Sequence, residues 1–305
     1  MIVYIDSNSS DNSLELSRTL ATETIQLDLS TPFSAARARN VGFKRLIEIC
    51  PELRFAFFID GDCKMAPDWP GHACDLLRSH EEVAIVTGRL KERNANASLY
   101  NRLCQLEWDG PSGELTECGG IFFARASDFL ALNGFNESLI AGEEPELCLR
   151  LRRMGKKIVR IPGEMAEHDA AMSTFGQWWK RSIRSGYAYA NGMYLHGRSI
   201  EKFRVRNMIS IWLWGGILPL TILAGSLVGI AEIKYLLLLY PLIIAKIAWS
   251  KWLQTKQAGL SLLYGAMLML AKFAEFWGQC KFWTDRMLGL PAKIIEYKPV
   301  PPSHG

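Results

Sequence analysis

Two acids one residue apart close the apolar run FAFFIDGD: Asp60 and Asp62, with Gly61 between them. Carboxylate oxygens are hard ligands, and a pair of them at the end of a buried strand suits Mg2+ or Mn2+, ions that in turn hold a diphosphate. Gly61 has no Cβ and lets a nucleotide approach the backbone closely. The same residues also read as an ordinary strand-end turn, where Asp and Gly are common for backbone reasons. Further on, AGEEPELCLRL sets Glu143 and Glu144 at a helix start. Acids there complement the helix dipole. They also suit a general base, because N-terminal amides favour the carboxylate, although an adjacent like charge opposes it. In AEHDAAM, His168 follows a strand and reads as a structural histidine, or as a ligand if the fold brings it to Asp62. GQWWKRSIRSG holds Gln177, Trp178, Trp179, Lys180, Arg181 and Arg184. This is the composition of an amphipathic helix at a membrane surface, and equally of aromatic faces for sugar rings with cations for phosphates.

The elements that must position these groups are legible in outline. IVYID is a short strand that ends at Asp6 and feeds the turn cluster SNSSDNS. SAARARNVGFKRLIEIC fits a helix capped by Ser34. FAFFID is continuously apolar, as a strand covered on both faces of a parallel sheet would be. CGGIFFARASDFLALNGF reads as strand then helix, and EEPELCLRLRRMG as a helix with Pro145 in its first turn, acids at its start and bases at its end. KKIVRI is a further strand, followed by EHD. Strands alternating with helices predict an α/β domain with a mostly parallel central sheet, which binds ligands beyond its carboxyl strand ends, where Asp6 and Asp60 stand.

The chain has 305 residues, room for one large domain and an appendage, and its net charge of +4 is too mild to argue for a nucleic-acid partner. Its seven cysteines form no CxxC pair, which favours thiols in a reducing compartment. Residues 1–30 lack a basic start followed by a long apolar core. From Asn207 to Ile230 no residue is charged, a length that suits a membrane span. Tyr235 to Trp249 is a second, shorter apolar run with Lys246 near its end, and AGLSLLYGAMLMLA suits an interfacial or re-entrant helix. Two spans put Arg198, Lys202, Arg204 and Arg206 on the same cytoplasmic side as Lys251 and Lys256; a third crossing would place Lys281, Arg286, Lys293 and Lys298 outside. The expected organisation is a catalytic domain over 1–195, a basic linker over 196–206, two transmembrane helices over 207–250, and an interfacial helix with a cytoplasmic tail over 251–305. The expected location is the inner (plasma) membrane, with the catalytic domain cytoplasmic.

In order, YIDSNSSDNS, SAARARNVGF, FFIDGD, the CGGIFFAR…GEEPELCLRLRRMG stretch, EHD and QWWKR resemble the inverting glycosyltransferases of family two, with the GT-A fold. The resemblance covers roughly residues 1–195. It implies that Asp6 contacts the nucleotide base, that Arg39 and Asn40 lie beside the nucleotide with Asp60 and Gly61, and that Asp62, with Asp60 and His168, holds Mg2+ or Mn2+. It implies that Glu144, beside Glu143, deprotonates the acceptor hydroxyl. Gly119, Gly120, Gln177, Trp178, Trp179 and Arg181 are the expected acceptor or phosphate contacts. Three departures stand out. QWWKR differs from the Q-x-x-R-W of processive members, Glu replaces the usual Asp at 144, and Ile2–Asp6 already corresponds to the second element of the family, so that a central strand is expected to be absent and the chain short at its N-terminus. The implied function is transfer of a sugar from a nucleotide-diphosphate donor to a saccharide or lipid-linked acceptor at a membrane. Two alternatives are a catalytically inactive GT-A scaffold and a nucleotidyltransferase of related architecture.

Overall fold

The computed structural model describes residues 1–9, 11–28 and 30–297; Lys298, one of the basic residues weighed above, lies outside them. Two units make up the described chain, Met1–Thr174 and Phe175–Tyr297.

In the first unit, β1 (Val3–Asp6), α1 (Ser13–Leu20) and β2 (Glu23–Gln26) form a two-stranded parallel pair with its connecting helix. α2 (Ala35–Ile49) starts where expected: Ser34 is extended (φ −145°, ψ 151°) and its hydroxyl accepts from the Arg37 N–H at 3.2 Å. A six-stranded sheet follows, from β3 (Phe55–Phe58), β4 (Cys63–Met65), β5 (Val83–Glu92), β6 (Gly113–Leu115), β7 (Phe122–Arg125) and β8 (Lys157–His168). Its spatial order is β3-β7-β5-β8-β4, with β6 also on β8. The helices in this stretch are α3 (Trp69–Ser79), α4 (Leu99–Trp108), α5 (Ala126–Ala131) and α6 (Glu143–Arg153).

The α/β class stands, but the sheet is mixed rather than mostly parallel. β5 and β8 pair parallel, whereas β7 runs antiparallel between β3 and β5, and β4 and β6 run antiparallel to β8. The apolar pattern separates strand from helix without giving direction.

β3 is apolar throughout because both its faces are covered. On one, Phe58 lies 5.0 Å from the rings of both Phe122 and Phe129 and edge-on to Phe135. On the other, Phe57 stacks on Phe123 at 4.9 Å and approaches Trp69 at 5.9 Å. β1 and β3 share no ladder among the described residues, yet α2 packs on both. Gly42 meets the Ile5 side chain, and Phe43 stacks on Phe58 at 6.1 Å.

The second unit is helical: α7 (Phe175–His196), α8 (Val205–Ile211), a π-helical turn (Trp212–Ile217), α9 (Leu218–Leu227), a 3-10 segment (Ala231–Leu238), α10 (Leu239–Thr255) and α11 (Ala258–Met287). α7, expected within a 1–195 domain, belongs here. Gly186 meets the Glu275 backbone and Gly278 of α11 meets the Ile183 carbonyl so closely that a Cβ at either position would collide. Small residues permit such an approach between apolar helices.

Two segments are long and apolar enough to cross a membrane by length and composition, Val205–Leu227 and Ala258–Met287. The first coincides with the expected 207–230 span. The second differs from expectation, since AGLSLLYGAMLMLA is the start of one 30-residue helix. Lys272 pairs with Glu275 at 2.7 Å and Lys281 with Asp285 at 2.9 Å, so the charges that end the apolar run do not end the helix. The expected span Tyr235–Trp249 is divided between the 3-10 segment and the 17 residues of α10.

Candidate active site

β3 delivers Ile59 and then the DGD turn to one end of the sheet, and the two carboxylates of that turn part company. Asp60 turns towards α2, where Arg39 Nη2 donates to its Oδ1 at 2.8 Å. The same guanidinium donates through Nη1 to Glu144 Oε1 at 2.6 Å and to Glu143 Oε1 at 3.3 Å, both in the first turn of α6. Burial by itself would lower the pKa of Arg39. Glu144, then Asp60 and Glu143, outweigh burial and raise it above its already high ordinary value. Arg39 is therefore a permanent cation bound to three acids from two elements, and it lies over the Phe135 ring at 5.6 Å.

Gly120 borders this cluster. A Cβ there would lie 2.6 Å from Arg39 Nη2, 3.1 Å from Glu144 Oε1 and 3.2 Å from Asp60 Oδ2. Gly119 and Gly61 are different, because a side chain at either would meet nothing within 4 Å. The CGG loop is tied to α6 from beneath: Cys118 and Cys148 are buried with their sulfurs 3.5 Å apart. Their hydrogen bond, and then burial, push the Cys118 thiol up.

Asp62 faces the opposite way, towards β8. His168 Nε2 lies 3.3 Å from its Oδ2, and the Cys63 sulfur 3.5 Å from its Oδ1. One ligand atom from each of Asp62, Cys63 and His168 falls within 4.8 Å of the other two. Such a mixed oxygen, sulfur and nitrogen set fits a divalent metal ion. The Trp108 ring packs on the His168 imidazole at 4.8 Å between centroids.

The remaining sequence-derived residues take more local roles. Asp6 is buried, and its carboxylate accepts from the N–H groups of Asn8 at 3.0 Å and Ser9 at 3.3 Å, which shapes the loop after β1. The Asn40 amide is spent on the loop before α6: Nδ2 donates to the Phe135 carbonyl and Glu137 at 2.9 Å, and Oδ1 accepts from the Phe135 N–H at 2.9 Å. Gln177, Trp178, Trp179 and Arg181 lie on α7 in the helical unit, where Phe175, Trp178 and Trp179 form an aromatic group and Trp178 is buried. Sequence reasoning passed over Cys63, Trp108 and the Cys118–Cys148 pair. For Cys63 the one available signal was adjacency to the DGD turn.

An acid pair at a helix start, an arginine hub and a DGD turn stand together at one end of the α/β sheet. The chain belongs to Glycosyl transferase family group 2, whose model matches residues 74–248. It is thus a glycosyltransferase. Among solved structures it is similar to mannosyltransferase PcManGT from Pyrobaculum calidifontis in complex with GDP-Man and Mn2+, at 15% identity over 88% of this chain and 77% of that one, with a TM-score of 0.52. That likeness shows the GT-A fold. S. aureus TarS 1-349 in complex with UDP also matches, at 14% identity over 94% of this chain and 82% of that one, with a TM-score of 0.43. Comparison with the curated proteins finds no match.

Proposed function

We propose that this chain is a membrane-associated inverting glycosyltransferase. It moves a sugar from a nucleotide-diphosphate donor to a saccharide or lipid-linked acceptor, in the synthesis of a cell-surface polysaccharide or glycolipid. The observation that carries this reading is the fixed geometry of Glu144. Its Oε1 accepts from Arg39 at 2.6 Å, which holds the carboxylate in one orientation and leaves Oε2 to take the acceptor's proton. The acceptor oxygen attacks the anomeric carbon from the face opposite the diphosphate. The carbon–oxygen bond to the acceptor forms as the bond to the phosphate oxygen breaks, the electron pair leaves with the diphosphate, and the configuration inverts. Asp62 and His168 would hold a divalent ion, whose charge offsets that of the departing diphosphate. Gly61 and Gly120 leave room for the donor, and Asp6, Arg39, Asn40 and Asp60 shape its nucleotide side. On α7, Trp179 and Arg181 offer an aromatic face and a cation to lipid headgroups or to an acceptor phosphate. The basic residues Arg198, Lys202, Arg204 and Arg206 favour the cytoplasmic face of the inner membrane for the catalytic unit.

Purified Glu144→Gln protein is expected to bind nucleotide as the wild type does and to transfer sugar about 10²–10⁴-fold more slowly. Undiminished transfer would refute the base assignment. A second reading, a GT-A domain that docks partners without transferring sugar, is favoured by one observation: Asp6 stands on a strand pair that shares no ladder with β3. Calorimetry with UDP or GDP and Mn2+ separates the two, since the scaffold reading requires that no heat of binding be seen.

A further inference from the structure

We propose that Cys63 is a ligand of the metal site, and that its thiolate makes the site select thiophilic ions, Zn2+ and Co2+ foremost, over Mg2+. The inference rests on the reading of Asp62 and His168 as metal ligands and adds to it a donor and a selectivity.

Three features of the fold converge on Cys63. First, it is the direct cross-strand partner of His168 in the antiparallel β4–β8 ladder. Residues directly opposite in such a ladder project from the same face of the sheet, with Cβ atoms about 4.5–5.5 Å apart. The sulfur and the imidazole are therefore brought together by backbone register, not by a chance rotamer. Second, the spacing suits a small ion. Donors at about 2.0–2.3 Å around a tetrahedral centre lie about 3.3–3.7 Å from one another. The separations at Asp62, 3.3 Å from Oδ2 to His168 Nε2 and 3.5 Å from Oδ1 to Cys63 Sγ, fall in that range, and the three ligand atoms all lie within 4.8 Å of one another. Third, the hard ligands are few. Asp60, the other acid of the turn, is held by Arg39 at 2.8 Å, so the turn contributes one carboxylate to the cluster instead of two. Mg2+ demands near-octahedral oxygen ligation, whereas imidazole with thiolate favours zinc-like ions. Diphosphate oxygens of a bound donor would complete the coordination. On ligation the Cys63 thiol gives its proton to solvent, and nothing is oxidised or reduced.

The test is optical spectroscopy of the full-length protein in detergent micelles titrated with Co2+, alone and with UDP. Visible d–d bands report ion binding, and a strong near-ultraviolet sulfur-to-cobalt charge-transfer band reports thiolate ligation. Wild-type protein is expected to show both, and Asp62→Asn protein neither. Cys63→Ser should keep the d–d bands and lose the charge-transfer band, with its preference for Zn2+ over Mg2+ lowered about tenfold or more. If wild-type protein shows d–d bands that depend on Asp62 and no charge-transfer band, Cys63 is not a ligand while the metal site stands. A charge-transfer band that persists in Cys63→Ser assigns the sulfur to another cysteine and also overturns the proposal. Absence of Co2+ binding in every arm overturns both this inference and the metal reading beneath it. A wild-type spectrum without the charge-transfer band overturns the proposal even if the variants do not fold, and Cys63→Ala, which removes the sulfur with the smallest change of volume, is the second variant that assigns the band if it is present.

Discussion

At the scale of single residues, the chemistry of this site turns on what each acid touches. The sequence places Asp60 and Asp62 side by side, and a pair of neighbouring carboxylates invites the reading of one shared ligand set. The fold separates them: Asp60 goes to Arg39 on α2 and Asp62 to His168 on β8. His168 was expected near Asp62 through the family resemblance, whereas Arg39 could not be assigned to Asp60 from the DGD turn, because it is brought by a distant chain segment. Arg39 was legible as a candidate site residue through the family resemblance, but not as the hub of three acids. Its loss removes the cation paired with Glu143 and Glu144; both are nearly buried. Arg39→Met is expected to cost about 3–5 kcal/mol of stability, read from the urea midpoint. Because the Arg39 pKa is raised from a value already far above neutrality, the contribution of this cation is fully present at neutral pH and would fade on the alkaline side only as the pH rose through its own pKa. Gly120→Ala tests the other side of the cluster. Its methyl group would lie 2.6 Å from Arg39 Nη2, so either the guanidinium or the loop must shift. Transfer should fall at least about tenfold with a displacement of this kind, while the melting temperature changes little; equal activity would show that the arginine can yield.

At the scale of elements, β3 and the helix start at Ser34 were legible because each carries a local signal, an unbroken apolar run and a capping hydroxyl. Phe58 has aromatic neighbours from α2, α5 and β7, and Phe58→Ala is expected to destabilise the first unit by about 3–5 kcal/mol in a denaturant titration. Ser34→Ala should cost about 1 kcal/mol in the same measurement. The direction of β7 and the length of β8 were not legible. KKIVRI reads as a strand followed by EHD, and β8 takes in both: it continues through Pro162 and Gly163 to His168 past register shifts opposite β5, with Gly163 at φ 102°. A bulge absorbs the proline and glycine without ending the pairing. That continuation is what carries His168 into register with Cys63, and it follows from long-range pairing that no local pattern records.

At the scale of the whole molecule, the chain divides at Thr174 and Phe175, some twenty residues before the boundary that composition suggested. The aromatic and basic residues of α7 fall within the expected 1–195 domain, whereas its glycine contact with α11 goes with the helical unit. Gly186→Leu is expected to lower the thermal midpoint of the protein in micelles by an amount equivalent to about 1–3 kcal/mol. Membrane association itself is checked by fractionation: detergent, and not alkaline carbonate, should release the chain from membranes. Arg39 also bears on how this protein tolerates sequence change. One guanidinium serves an acid at the end of β3 and an acid at the start of α6, so the two positions form a single energetic unit although they are 84 residues apart in sequence. Neutralising Asp60 and Glu144 together should cost measurably less, or more, than the sum of the separate changes, with a coupling of about 0.5–3 kcal/mol in a double-mutant cycle. Substitutions at either acid would then be epistatic, each altering which replacements the other can accept.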